Sequence, residues 1–134
     1  MTRVAVMGGG SFGTAMGMIA TDAGGEVVIW AREPEVAQSV NELHINEMYH
    51  PGLELPPELW VTNDPATALK GAEVIILAIP AQTLRENLTE WKSLIEQNPC
   101  FQGCDPLQLA AVEAYRATVE HFAFESYPEI PLPE

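Results

Sequence analysis

An α/β fold, a parallel sheet with helices on its faces, is predicted by three features of this 134-residue sequence. Apolar β-rich runs alternate with helix-patterned segments four times between residues 1 and 96, the order that gives a parallel sheet with right-handed crossovers. The first run, Val4-Ala5-Val6-Met7, is apolar throughout, the pattern of a strand covered on both faces. It ends in glycine, and the next helix-patterned segment begins within a few residues. The length allows one domain.

The elements follow in chain order. Val4 to Met7 reads as the first strand. Phe12 to Ala23 reads as a helix with Phe12, Ala15, Met16, Ile19, Ala20 and Ala23 on one apolar face. Gly24-Gly25 stops it, because glycine accepts the left-handed conformation past a helix end. Glu26-Val27-Val28-Ile29-Trp30 is the second strand, and Glu33-Pro34-Glu35 opens the next helix with proline and acid in the first turn. His44 to Pro57 carries Pro51, Gly52, Pro56 and Pro57 and reads as a long irregular connection. Leu59 to Thr62 is a short strand. Asp64 caps a helix through Leu69, with Pro65 at its first position. Ala72 to Ile79 is the strongest strand, closed by Pro80, and Gln82 to Glu96 is a helix with Leu84, Leu88, Trp91 and Ile95 in line.

Beyond Asn98 no β-rich apolar run follows. One helix is expected over 106–122, then a Pro-rich acidic end. The division expected is a Rossmann-like nucleotide-binding domain over residues 1–97, with about four strands, and a mostly helical or irregular tail over 98–134 that forms no separate domain.

Charge narrows the function. Six Lys+Arg stand against 19 Asp+Glu, a formal net charge of −13, which argues against nucleic acid as a partner. A local anion site built from backbone amides stays open. No apolar stretch is long enough for a membrane span, no leader pattern is legible at the start, and two cysteines make no disulfide framework. The cytoplasm is the expected compartment.

The glycine turn carries the chemistry. Gly8-Gly9-Gly10-Ser11-Phe12-Gly13 matches G-x-G-x-x-G between a buried strand and a helix, the context this motif requires. Gly8 allows the tight turn, Gly10 lets the backbone approach a diphosphate, and Gly13 lets the helix pack on the strand. The first amides of the helix lack internal partners and form an anion site, so the loop is read as binding a dinucleotide. Arg32 lies 19 positions after Gly13 (32 − 13) and is the first charge past the second strand. A guanidinium there pairs with a 2′-phosphate or stacks on adenine, which leans toward NADP. Glu33 beside it keeps NAD open as a ribose-binding acid.

These residues resemble a known family. Gly8 to Ala15, Glu26 to Arg32, Tyr49-His50-Pro51-Gly52 and Leu77-Ala78-Ile79-Pro80-Ala81-Gln82 are similar, in order and separation, to the N-terminal domain of bacterial NAD(P)-dependent sn-glycerol-3-phosphate dehydrogenases. The resemblance covers roughly residues 1–96. It implies interconversion of glycerol 3-phosphate and dihydroxyacetone phosphate by hydride transfer, supplying phospholipid synthesis. It also implies Ser11 and Phe12 on the cofactor, Arg32 near the adenosine 2′ position, Tyr49 flanking the site and Pro80 at the ligand end of the fourth strand. The expected cofactor-binding set is therefore Gly8, Gly10, Ser11, Phe12, Gly13, Arg32, Glu33, Tyr49 and Pro80, with no catalytic residue and no metal. Gly9 stands where the family usually has alanine, which is expected to loosen the loop. Phe12 and Ala81 replace the family's frequent Trp and Ser.

An absence marks the limit. The family carries a catalytic Lys in a strand-end Lys-Gly motif and a helical C-terminal domain. This chain has only Lys70 and Lys92, neither so placed. It is expected to be the truncated cofactor half of such an enzyme, with little or no activity alone. Alternatives are another NADP-dependent reductase on this scaffold, or a non-catalytic nucleotide-binding module. Homo-oligomerisation or association through the exposed edge of the fourth strand is a further expectation. Cys100, Cys104 and His121 lack a fourth metal ligand. His44 and His50 are loop residues, Trp30, Trp60 and Trp91 are core or edge packing, and Glu86 with Glu90 is a solvated patch.

Overall fold

The computed structural model describes residues 2–102. The helix expected over 106–122, Cys104, His121 and the acidic end lie outside the described residues.

Strand β1 (Arg3–Met7) leads into helix α1 (Ser11–Asp22), then β2 (Glu26–Trp30), α2 (Pro34–Leu43), β3 (Trp60–Thr62), α3 (Pro65–Leu69), β4 (Val74–Leu77), α4 (Ala81–Glu96) and a 3₁₀ turn, Pro99–Phe101. All strand pairs are parallel and the sheet order is β3-β2-β1-β4. The chain winds outward from β1 to β3, then crosses back to place β4 on the other side of β1. The gap between the carboxyl ends of β1 and β4 is thus the topological switch point, where open α/β sheets bind ligands.

Alternation along β1 sends side chains to opposite faces of the sheet. Val4 and Val6 join Val27, Ile29, Val36, Val40, Leu59 and Val61 in one core layer. Ala5 and Met7 join Trp30, Leu69, Leu88, Trp91 and Ile95 in the other. Trp30 and Trp91 meet edge to face with ring centroids 4.9 Å apart, a favoured aromatic geometry. The predicted apolar stripe of α4 is therefore its packing face, with Leu88, Trp91 and Ile95 buried and Leu84 half-buried. Asp64 caps α3 as expected, its carboxylate accepting from the amide of Ala66 at 3.2 Å.

The buried face of α1 differs from the one its apolar residues predict. Phe12 is 64% exposed and Ile19 56% exposed, and Ala23 also lies at the surface, whereas Gly13, Thr14 and Gly17 are buried. Backbone proximity decides this orientation. A Cβ on Gly13 would stand 1.8 Å from the Gly8 carbonyl oxygen, and one on Gly17 2.6 Å from Ile29 Cδ1. The helix lies too close to the sheet for larger side chains, so glycines take the inner positions.

The strands at both sheet edges are shorter than their apolar runs. β3 begins at Trp60, and β4 spans Val74–Leu77 rather than Ala72–Ile79. On the β3 side, Asn41 of α2 covers the edge: its Nδ2 donates to the Val61 carbonyl at 2.8 Å and its Oδ1 accepts from the Val61 amide at 2.9 Å. Among the described residues β4 has no second strand partner, and Val74 is exposed. The packed unit continues past residue 97. The buried Asn98 amide donates to the carbonyls of Leu69 at 3.2 Å and Ala72 at 2.8 Å. No described helix is long and apolar enough to cross a membrane.

Candidate nucleotide site at the switch point

A cavity of about 570 Å³ opens at the switch point, a size that suits a small-molecule ligand. Its first wall is the turn after β1 and the start of α1: Gly8, Gly9, Gly10, Ser11 and Phe12. Its second wall comes from β4 and α4: Leu77, Ala78, Ile79, Pro80, Thr83 and Asn87. Trp30, Arg32 and Glu33 at the end of β2, with Tyr49 from the α2–β3 connection, complete it. Eight of the nine residues in the expected set thus share one cavity; Gly13 alone lies behind it.

The glycines divide the work of the first wall. Gly8 has φ +143°, and a Cβ on it would stand 2.1 Å from the Ala78 carbonyl oxygen. The turn out of β1 therefore runs against the end of β4 with no space for a side chain. A methyl on Gly10 would meet no protein atom within 4 Å; what glycine leaves clear there is the approach to the helix start. Gly9 is held closely rather than loosely. A Cβ on it would lie 2.5 Å from Ala31 Cβ, so packing against the end of β2 accounts for glycine at this position, and the expected loosening does not follow.

The amides of Gly10, Ser11 and Phe12 donate to no backbone carbonyl among the described residues, while Thr14 N–H closes the first turn onto Gly10 O at 3.0 Å. Gly10 is the N-cap, and no side chain caps the helix. Free donors at the positive end of a helix dipole attract anions.

Tyr49 ties three elements together. Its carbonyl accepts from Ser11 Oγ at 2.5 Å, and its phenol donates to Glu33 Oε1 at 2.7 Å. That hydrogen bond, followed by desolvation and the Glu33 charge, raises the phenol above the ordinary tyrosine range, against an opposing pull from Arg32. Arg32 makes no ion pair among the described residues and is the one cation lining the cavity.

Three residues at or behind the site carry no motif. Asn87 is 5% exposed, and its Nδ2 donates to the Thr83 carbonyl at 3.0 Å. Its signal in the sequence is a polar residue inside the apolar stripe Leu84-Leu88-Trp91. Thr83 follows from the same helix face. Asn46, fully buried behind the glycine turn, sits in a segment whose sequence signals only loop. Among the described residues no cluster of His, Cys, Asp and Glu is suited to a metal ion; Cys100 is an exposed free thiol.

The family described as NAD-dependent glycerol-3-phosphate dehydrogenase N-terminus matches residues 3–104. The chain belongs to this family. Its match extends beyond Glu96, the end of the resemblance expected from sequence, in keeping with the packing of Asn98. Over 95 residues the chain is 53% identical to a glycerol-3-phosphate dehydrogenase [NAD(P)+] of Corynebacterium jeikeium, covering 71% of this chain and 29% of that one. A Streptomyces avermitilis relative of the same description is 50% identical over 93 residues, covering 69% and 28%. Among solved structures, the glycerol-3-phosphate dehydrogenase of Coxiella burnetii superposes with a TM-score of 0.64 at 27% identity, over 69% of this chain and 29% of that one. The Plasmodium falciparum enzyme gives 0.67 at 25% identity, over 75% and 30%. The chain thus spans under a third of the length of these relatives and corresponds to their N-terminal nucleotide-binding domain.

Proposed function

We propose that the cavity binds a nicotinamide dinucleotide, with NADP(H) preferred over NAD(H). Its diphosphate lies against the amides of Gly10, Ser11 and Phe12, its adenosine ribose beside Arg32, and its nicotinamide end toward Pro80, Thr83 and Asn87. The carrying observation is the row of amides, unpaired among the described residues, facing a cavity at the switch point. The residues present fit such a group: the space before those amides is free of side chains at Gly10, and the volume is adequate. The preference is supported by the guanidinium of Arg32, which has no ion-pair partner among the described residues, and by the engagement of Glu33 with Tyr49. A carboxylate already accepting from a phenol is a poorer acceptor for a ribose 2′-hydroxyl.

Bound there, the nicotinamide supplies hydride transfer, and the family's reaction interconverts glycerol 3-phosphate and dihydroxyacetone phosphate. The role proposed for this chain is to hold the cofactor for that reaction. Turnover by the 134 residues alone is not expected, since neither Lys70 nor Lys92 lines the cavity. The cytoplasm is the compartment proposed, and the β4 edge is the surface proposed for homo-oligomerisation or other association.

Calorimetric titration of the full chain tests the reading. NADPH is expected to bind more tightly than NADH. Arg32→Ala is expected to weaken NADPH by about tenfold, the scale of one charge-assisted hydrogen bond, while leaving NADH nearly unchanged. A folded sample that gives no heat with either dinucleotide overturns the proposal.

A further inference from the structure

The glycine turn is held from behind by one buried side chain. Asn46 is 0% exposed and does not line the cavity. Its Nδ2 donates to the Gly9 carbonyl at 2.9 Å and to Thr14 Oγ1 at 2.9 Å, and its Oδ1 accepts from the Tyr49 amide at 3.2 Å. Both amide protons are thereby used, and one side chain joins the turn, α1 and the α2–β3 connection. Its own backbone is fixed in turn, its carbonyl accepting from His50 N–H at 2.8 Å.

Peptide planarity gives this contact a directional consequence. No peptide among the described residues is cis, and in a planar trans peptide the carbonyl oxygen and the following amide proton point in opposite directions. Drawing the Gly9 carbonyl inward onto Asn46 turns the Gly10 N–H outward, away from the buried side. Glycine on both sides of this peptide gives it wide rotational freedom, so the turn sequence alone does not fix the direction of that amide.

We propose that Asn46 is a positioning residue of the dinucleotide site, which sets the Gly9–Gly10 peptide so that the Gly10 amide donates to the ligand's diphosphate. This deepens the nucleotide reading above and rests on it. Thr14 serves as the second anchor of the Asn46 amide and does not itself set the peptide.

The test separates diphosphate contacts from the rest of the site. Calorimetry is run on the full chain with NADPH and with adenosine 2′-monophosphate, which has the adenosine and 2′-phosphate but no diphosphate. Asn46→Ala is expected to weaken NADPH about tenfold or more, the value of a hydrogen bond to a charged group, and to leave adenosine 2′-monophosphate within twofold. Thr14→Val is expected to lower the melting temperature while keeping NADPH affinity. Equal weakening of both ligands by Asn46→Ala, or no weakening of either, overturns the proposal. The wild-type chain gives a check independent of any variant folding. With ¹⁵N-glycine labelling, NADPH is expected to move the Gly10 amide proton strongly, and binding that leaves this resonance in place also overturns it. Failure of the wild type to bind NADPH at all instead removes the nucleotide reading beneath it.

Discussion

The two walls of the cavity are built from different material. The β1–α1 wall offers backbone: three glycines and amides at a helix start, with the side chain of Ser11 turned to Tyr49. The β4–α4 wall offers side chains, those of Pro80 at the N-cap of α4 and of Thr83 and Asn87 on the helix, which anchors in the core through Leu88 and Trp91. A backbone wall has no substitute parts. Its geometry depends on the absence of side chains at fixed positions, so one methyl added at Gly8 or Gly9 is enough to disturb it. A side-chain wall can change residue by residue without moving the fold, and it is the wall that faces the reacting end of the ligand proposed above.

The difference is open to direct attack. Gly13→Ala is expected to have the largest effect, because its Cβ would stand 1.8 Å from the Gly8 carbonyl and α1 must move off the sheet. Overpacking of this kind costs about 1–3 kcal/mol or more, and both thermal stability and NADPH binding are expected to fall together in denaturation and calorimetric experiments. Asn87→Ala on the other wall is expected to cost only about 1 kcal/mol, the value of one ordinary hydrogen bond, with NADPH affinity preserved to within a few-fold. A result in the reverse order would show that the side-chain wall, not the backbone, holds the cofactor.

Far from both walls, the smallest effect belongs to the α3 cap. Asp64 is held below the ordinary aspartate range, chiefly by the Thr67 hydroxyl at 2.7 Å; desolvation, the next largest effect, opposes this, and the amides of Ala66 and Thr67 add smaller lowering contributions. A depressed folded-state value contributes stability above the unfolded-state value, about 3.9, and loses it as the pH falls through the folded one. Asp64→Ala is therefore expected to lower the melting temperature slightly at pH 7, with the gap from wild type closing below about pH 4.

How much of this was legible in sequence follows from the same contrast. The strand–helix order and the glycine turn are local signals, and the structure places both where the pattern puts them. The face of α1 was not legible from its apolar residues, because the periodicity rule assumes that a helix docks by large side chains. Here it docks by Gly13 and Gly17, and Phe12 is left at the mouth of the cavity. The runs around β3 and β4 read longer than the strands because apolar composition marks burial, not ladder pairing, and Leu59 is buried outside its strand. Asn46 left no trace at all. Its meaning depends on Gly9, Thr14 and Tyr49 converging on it, and nothing in the spacing of those four residues announces a meeting.

The edge-to-face tryptophan pair gives the chain an optical consequence. Trp30 borders the cavity and rests against Trp91, which is sealed from water, while Trp60 stands at the surface. Emission from the first two is shifted to the blue of the third, so the signals separate by colour. A reduced nicotinamide dinucleotide held in the cavity that Trp30 borders would absorb in the band where that buried pair emits. Occupancy would then register as quenching of tryptophan emission, a built-in gauge that needs no attached dye.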